Sequence, residues 1–97
     1  MKLMLIFVDA DRAADVERLL DASDVPGYSE FPGVLGKGAT GRKFGNRAFP
    51  GSSTLYFVAL LGEGACGGLC DRLEALRTER GPEEGLRVYV LEATEVI

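Results

Sequence analysis

The 97-residue sequence contains no histidine and no tryptophan, only two cysteines, and no acidic residue between Phe31 and Gly62. Without histidine there is no imidazole for a metal site or for acid–base catalysis near neutral pH. Two cysteines, Cys66 and Cys70, do not make a disulfide framework. A zinc site would need two further ligands. Their spacing within a helical segment puts them on one face with Leu69, Leu73 and Leu76, so both are expected to be small core residues and no metal is expected. No apolar run approaches the roughly 18 to 20 residues of a membrane span. "LMLIFV", Leu3 to Val8, is too short for one. It is followed by acids where a signal peptide would carry small residues. The expectation is a cytoplasmic protein with a single domain over residues 1–97.

What is present is divided by charge. The stretch from Phe31 to Gly62 carries Lys37, Arg42, Lys43 and Arg47 and no acid, while the rest holds 7 basic and 15 acidic residues. A segment of +4 thus sits in a remainder of −8. Such segregation marks where an anion or an acidic partner meets a protein, and the overall acidity excludes nucleic acid as the main partner. The same stretch contains "GVLGKGATGRKFGNRAFPG", Gly33 to Gly51, with six of the 13 glycines. Loops of that length are usually functional or disordered. Glycine lets main-chain N–H groups approach a ligand closely, and arginine offers a planar fork to phosphate or carboxylate.

Periodicity gives the elements. Lys2 to Asp9 is a strand, and Asp11 a candidate N-cap for a helix whose face is Ala13, Val16, Leu19 and Leu20. "DVPG", Asp24 to Gly27, stops it. Tyr28 to Phe31 is a short strand. Ser53 to Leu61 is a second apolar strand, Gly64 to Arg80 a helix closed by Gly81 and Pro82, and Leu86 to Leu91 the last strand. The order β-α-β-β-α-β predicts an α+β ferredoxin-like fold: a four-stranded antiparallel sheet, two helices on one face, and a long loop between strands two and three. "LMLIFV", "LYFVALL" and "VYVL" are apolar at both parities, whereas a solvated sheet face alternates. The second face therefore needs a cover, and another copy of the chain is the expected one.

Three motifs compete for the glycine-rich segment and its surroundings. "GKGATG", Gly36 to Gly41, fits G-x-G-x-x-G, but the following "RKFGNRAFPG" has no helical period, so the dinucleotide fingerprint lacks its helix. No Gly-Lys-Ser/Thr occurs, which removes a P-loop. "FVDAD", Phe7 to Asp11, resembles the D-x-D of aspartate-nucleophile phosphatases, which need a far larger domain; Asp9 and Asp11 read instead as helix-start acids. Acylphosphatases share the size and topology and use an arginine and an asparagine, and Asn46 and Arg47 are here. Their phosphate loop joins the first strand to the first helix, where this chain has the acidic "VDADRAAD".

The topology, the long loop, "PGYSEFPGVLGKG" (Pro26 to Gly38) and the ending "VYVLEATEVI" resemble the PII signal-transduction superfamily over the whole chain. In that family a G-(hydrophobic)-T-V-T-E-V-x-G-F-G-R stretch leads into a flexible T-loop, with Gly36-Lys37 standing here for Gly-Arg. "YVLEATEV", Tyr89 to Val96, is similar to its F-V-L-P-V-E-E-V close. "GVLGKG" with "AFPG" is similar to compact PII-like proteins. The B-loop is divergent: "TERGPEEGLR" keeps Thr78, Gly81 and Gly85, with Arg87 for the family's lysine, but inserts two acids. The C-terminus is short, and no tyrosine lies between Tyr28 and Tyr56 for modification.

The resemblance implies a non-enzymatic homotrimer that binds a small anionic effector, such as an adenine nucleotide, in clefts between subunits. It implies signalling through the 33–51 loop to a membrane transporter or enzyme. The residues expected to hold the effector are Gly36, Lys37, Gly38, Thr40, Arg42, Lys43 and Arg47 from the loop, with Gly85 and Arg87 opposite. Two alternatives are an effector-free interaction module and a PII-like protein associated with metal efflux. An acylphosphatase-like enzyme is a more remote one.

Overall fold

The computed structural model describes residues 1–38, 41–43, 52–80 and 85–97. Strand β1 (Lys2–Asp9) leads through a short 3-10 turn (Ala10–Arg12) into helix α1 (Ala13–Ala22). Strand β2 (Ser29–Val34) follows, then the short strands β3 (Gly36–Gly38) and β4 (Gly41–Lys43), strand β5 (Ser53–Leu60), helix α2 (Glu63–Arg80) and strand β6 (Arg87–Glu92). The main sheet has the order β2-β5-β1-β6, and every neighbouring pair in it is antiparallel. This is the ferredoxin-like arrangement expected from the sequence. No helix among the described residues is long and apolar enough to cross a membrane.

The core lies between the sheet and the helices. Alternate residues Met4, Ile6 and Val8 of β1 and Tyr56, Val58 and Leu60 of β5 point into it and are buried. Val16 and Leu20 of α1 meet them, as do Cys66, Leu69 and Leu73 of α2. Those helix positions recur at three- and four-residue spacing, which makes one apolar stripe per helix. Cys66 is buried and Cys70 half-buried, as expected of core residues. Burial, with the neighbouring Cys66, raises the Cys70 thiol above its ordinary value, so at neutral pH it is a thiol and not a reactive thiolate.

The other sheet face is apolar and uncovered in the single chain. Directly opposed residues share a face, so the pairs Leu5–Tyr89, Leu3–Leu91, Phe7–Leu55 and Phe31–Leu55 place these side chains together on it. Phe31, Phe57, Tyr89 and Leu91 are exposed there, and Phe7 and Tyr89 meet edge to face at 6.0 Å. The two-sided apolarity of the strands is thus real, with one side buried by helices and the other facing outward.

Several local expectations are corrected. Asp11 does not cap α1: it lies inside the 3-10 turn, and Arg12 holds the N-cap position without a side-chain cap bond. The chain leaves β1 in a tighter turn because the Ala10 N–H is tied to the Ser52 carbonyl (2.9 Å), so α1 starts at Ala13. Its end is as expected: α1 stops at Ala22, directly ahead of "DVPG", and the C-cap Ser23 has an extended backbone and a hydroxyl that donates to the Leu19 carbonyl (2.7 Å). Strand β2 runs on to Val34, past the expected end at Phe31. Part of the expected loop is a hairpin, with Gly36 paired to Lys43, Lys37 to Arg42 and Gly38 to Gly41. The Gly81–Pro82 stop of α2 lies outside the described residues.

Glycine 67 is exposed within α2, and a Cβ there would meet nothing within 4 Å. Helix-interior glycine is less favourable than alanine by about 1 kcal/mol. Gly67→Ala should therefore raise unfolding stability by about 1 kcal/mol in urea titration; a destabilised variant would show that something packs against the backbone at this point.

Candidate functional site

Antiparallel pairing brings four segments to one end of the sheet. Asp9 ends β1 and pairs with Ser53 at the start of β5; Ser53 in turn pairs with Val34 at the end of β2. On the other side of β1, Phe7 pairs with Arg87, and Gly85 lies against Asp9. The root of the cationic segment, on both its strands, thus shares an edge with the residues that follow the second helix. The Ala10–Ser52 bond fixes the crossover from β1 to this root.

Gly85 and Asp9 are in close contact. A Cβ built on Gly85 would stand 2.6 to 2.9 Å from the Asp9 carboxyl group, and the residue has φ +72°. Only glycine adopts this backbone readily and leaves room for the carboxylate. Arg87 is exposed, and its guanidinium donates to the Leu86 carbonyl at 3.0 Å. Leu86 itself is buried in the core, which anchors the start of β6.

Of the residues expected to hold an effector, Gly36, Lys37, Gly38, Arg42 and Lys43 are brought together in the β3–β4 hairpin. Gly85 and Arg87 are placed together at the start of β6. Thr40 and Arg47 lie outside the described residues. The two groups are rooted at the same end of the sheet: Ser53 and Val34 lead to the hairpin, and Asp9, paired with Ser53, lies against Gly85.

Sequence reasoning missed Asp9 and Ser53 as members of this edge. Asp9 does stand at the helix start, as the N-cap residue of the 3-10 turn, though without a side-chain cap bond, and its carboxylate also stands over Gly85. The "FVDAD" motif was the available signal, but nothing local to it indicates residue 85.

Two other polar features lie elsewhere. On the helix side, Tyr56 is fully buried, and its one hydroxyl proton is shared between two acceptors, the Ala13 carbonyl (3.2 Å) and Glu30 (3.4 Å). Burial, then Glu30 and Glu17, raise its pKa well above the ordinary value. Tyr28, edge-on to it at 5.7 Å, donates to Asp21 (2.7 Å) and is pushed up to about 12, chiefly by that bond. Both stay neutral phenols, as structural groups do. A hollow of about 210 Å³ between the end of α1 and the start of α2 is lined by Ser23, Asp24, Val25, Gly64, Gly68 and Arg72, among others. Its arginine is engaged with the Ser23 hydroxyl at 2.8 Å. Among the described residues no group of three or more metal-ligating side chains comes together.

No protein-family model matches the chain, and no curated protein matches it by sequence. Solved structures do match it. One is CPII, a nitrogen regulatory PII-like protein from Thiomonas intermedia K12, bound to ADP, AMP and bicarbonate. It has 22% identity and a TM-score of 0.69, over 92% of this chain and 86% of that one. A second structure of CPII with the same ligands gives 23% identity and a TM-score of 0.72, over 93% and 82%. CPII bound to ADP and bicarbonate gives 22% and 0.69, again over 93% and 82%. The chain therefore has the ferredoxin-like fold of the PII-like proteins.

Proposed function

We propose that this chain is a non-enzymatic PII-like regulatory protein. It works as a trimer, binds a small anionic effector where subunits meet, and signals to a protein target through the segment from Gly33 to Gly51. The observation that carries this reading is the placement of the acid-free, +4 segment: its β3–β4 hairpin is rooted at the same sheet edge as Gly85 and Arg87. The fold is that of CPII, whose structures hold ADP, AMP and bicarbonate, all anions. A trimer with its sheets packed around a common axis would cover the apolar face. The glycine backbone would offer N–H groups to the anion, and the lysines and arginines would neutralise it. The target would be a membrane transporter or an enzyme that presents acidic groups to the segment.

Calorimetry with AMP, ADP, ATP and bicarbonate tests the effector. At least one should bind, and Arg87→Ala combined with Lys37→Ala should weaken it by about 10- to 100-fold, the usual worth of charge-assisted hydrogen bonds. If none binds, or if the double variant binds as the parent does, there is no effector site here, and an effector-free interaction module becomes the better description.

A further inference from the structure

We propose that the hollow between the end of α1 and the start of α2 binds a small aliphatic amino acid in its zwitterionic form. Its lining comes from the segment that follows α1 and from the first turns of α2. Its volume of about 210 Å³ lies below the roughly 300 to 1,000 Å³ of pockets that take drug-sized ligands. Helix α2 begins just after Leu60, which pairs with Lys2 at the opposite end of β1 from Asp9. The hollow is thus separate from the effector edge. A trimer packed through the apolar sheet face would leave it open.

Two opposite charges line this hollow, Asp24 and Arg72. They are not paired with each other. Among the described residues the guanidinium makes one bond to another side chain, to the Ser23 hydroxyl at 2.8 Å, and that hydroxyl is itself held by the Leu19 carbonyl (2.7 Å). An arginine offers five N–H donors, so donors are left over on a guanidinium positioned from the end of α1. The Asp24 carboxylate makes no hydrogen bond or ion pair among the described residues. A lone anion would meet Asp24 as a repulsive neighbour, and a lone cation would meet Arg72. A molecule that carries both charges satisfies both groups. Its carboxylate takes the arginine fork, and its ammonium donates to the aspartate. Val25, Ala65 and Leu69 add apolar wall, which matches a short aliphatic side chain. Gly68 also lines the hollow, and a Cβ there would meet nothing within 4 Å. Glycine is unfavourable in a helix interior, but here it keeps open space that a side chain would enter.

Titration of the isotope-labelled protein with L-valine, isovalerate and isobutylamine, followed by amide chemical shifts, tests this. L-valine should shift the amides of Ser23 to Val25 and of Gly64 to Arg72 saturably and leave those of Gly85 and Arg87 in place. Isovalerate lacks the ammonium and isobutylamine lacks the carboxylate, so each should bind more weakly by about ten-fold or more. Arg72→Gln and Asp24→Asn should each lose a similar factor, and Gly68→Leu should abolish binding. Gly67→Ala, outside the lining, should bind L-valine as the parent does. The same spectra report whether each variant is folded. No saturable shift with L-valine, or isovalerate or isobutylamine bound as tightly as L-valine, overturns the proposal. So do folded Arg72→Gln and Asp24→Asn proteins that bind L-valine as the parent does. Nucleotide binding is read at other residues, so the effector reading stands or falls separately.

Discussion

Replacing Phe57 by glutamate should turn the proposed trimer into folded monomers. Phe57 lies on the sheet face opposite the helices, paired with Leu5 and Ser29, and is 38% exposed in the single chain. Phe31, Tyr89 and Leu91 extend the apolar surface around it. A carboxylate buried in a subunit interface carries a penalty of several kcal/mol after relaxation, so association should weaken by more than about 100-fold. The monomer should survive the change because its core is on the other face: Met4, Ile6, Tyr56, Val58 and the two helices are untouched. Light scattering after size exclusion reads the mass, and far-UV circular dichroism reads the fold. A parent protein that is already monomeric, or a Phe57→Glu protein that still assembles, would remove the account of the two-sided apolar strands.

Tyr56→Ala should have the largest effect on the monomer's stability, a loss of about 3 to 5 kcal/mol. Domains of this size hold about 5 to 15 kcal/mol in total, so the variant should be near unfolding at 37 °C. Tyr56 is fully buried at the centre of β5, opposite Ile6 on one side and Glu30 on the other, and reaches α1 through the Ala13 carbonyl. Tyr56→Phe keeps the ring and should lose only about 1 kcal/mol, because both hydrogen bonds are at the long end of the range. Urea titration separates the two. A loss under about 1.5 kcal/mol for Tyr56→Ala would contradict the packing described here.

The alkaline limb follows with a definite sign. The phenol pKa is raised in the folded chain, so the unfolded chain releases its proton first. The stabilisation is complete below about pH 10, the ordinary tyrosine value. It drains as pH rises from there through the folded-state value, and Tyr56→Phe should flatten that decline.

Much of the fold was legible because its signals are local. The apolar run of Leu3 to Val8, the helical spacing of Cys66, Leu69, Leu73 and Leu76, and the punctuation after α1 each depend on residues within one or two turns of each other. The helix start was not legible. Asp11 has the chemistry of an N-cap, but a bond from Ala10 to Ser52 holds the chain in a 3-10 turn, and Ser52 is remote in sequence. The hairpin inside the glycine-rich segment was hidden for a related reason. Gly36–Gly38 and Gly41–Lys43 carry no alternating apolar pattern, so only main-chain pairing defines them.

The sequence by itself determined the order of elements, the apolarity of both sheet faces, and the confinement of net positive charge to a segment between two strands. These follow from periodicity and composition, which any stretch of chain carries with it. Only the tertiary structure decided that β1 lies between β5 and β6, and hence that Asp9 stands over Gly85 on one side and pairs on the other with Ser53, at the root of the cationic segment. Strand order is set by how the helices cross over the sheet to bury their apolar stripes together. That global packing places residues 9, 53 and 85 on one edge.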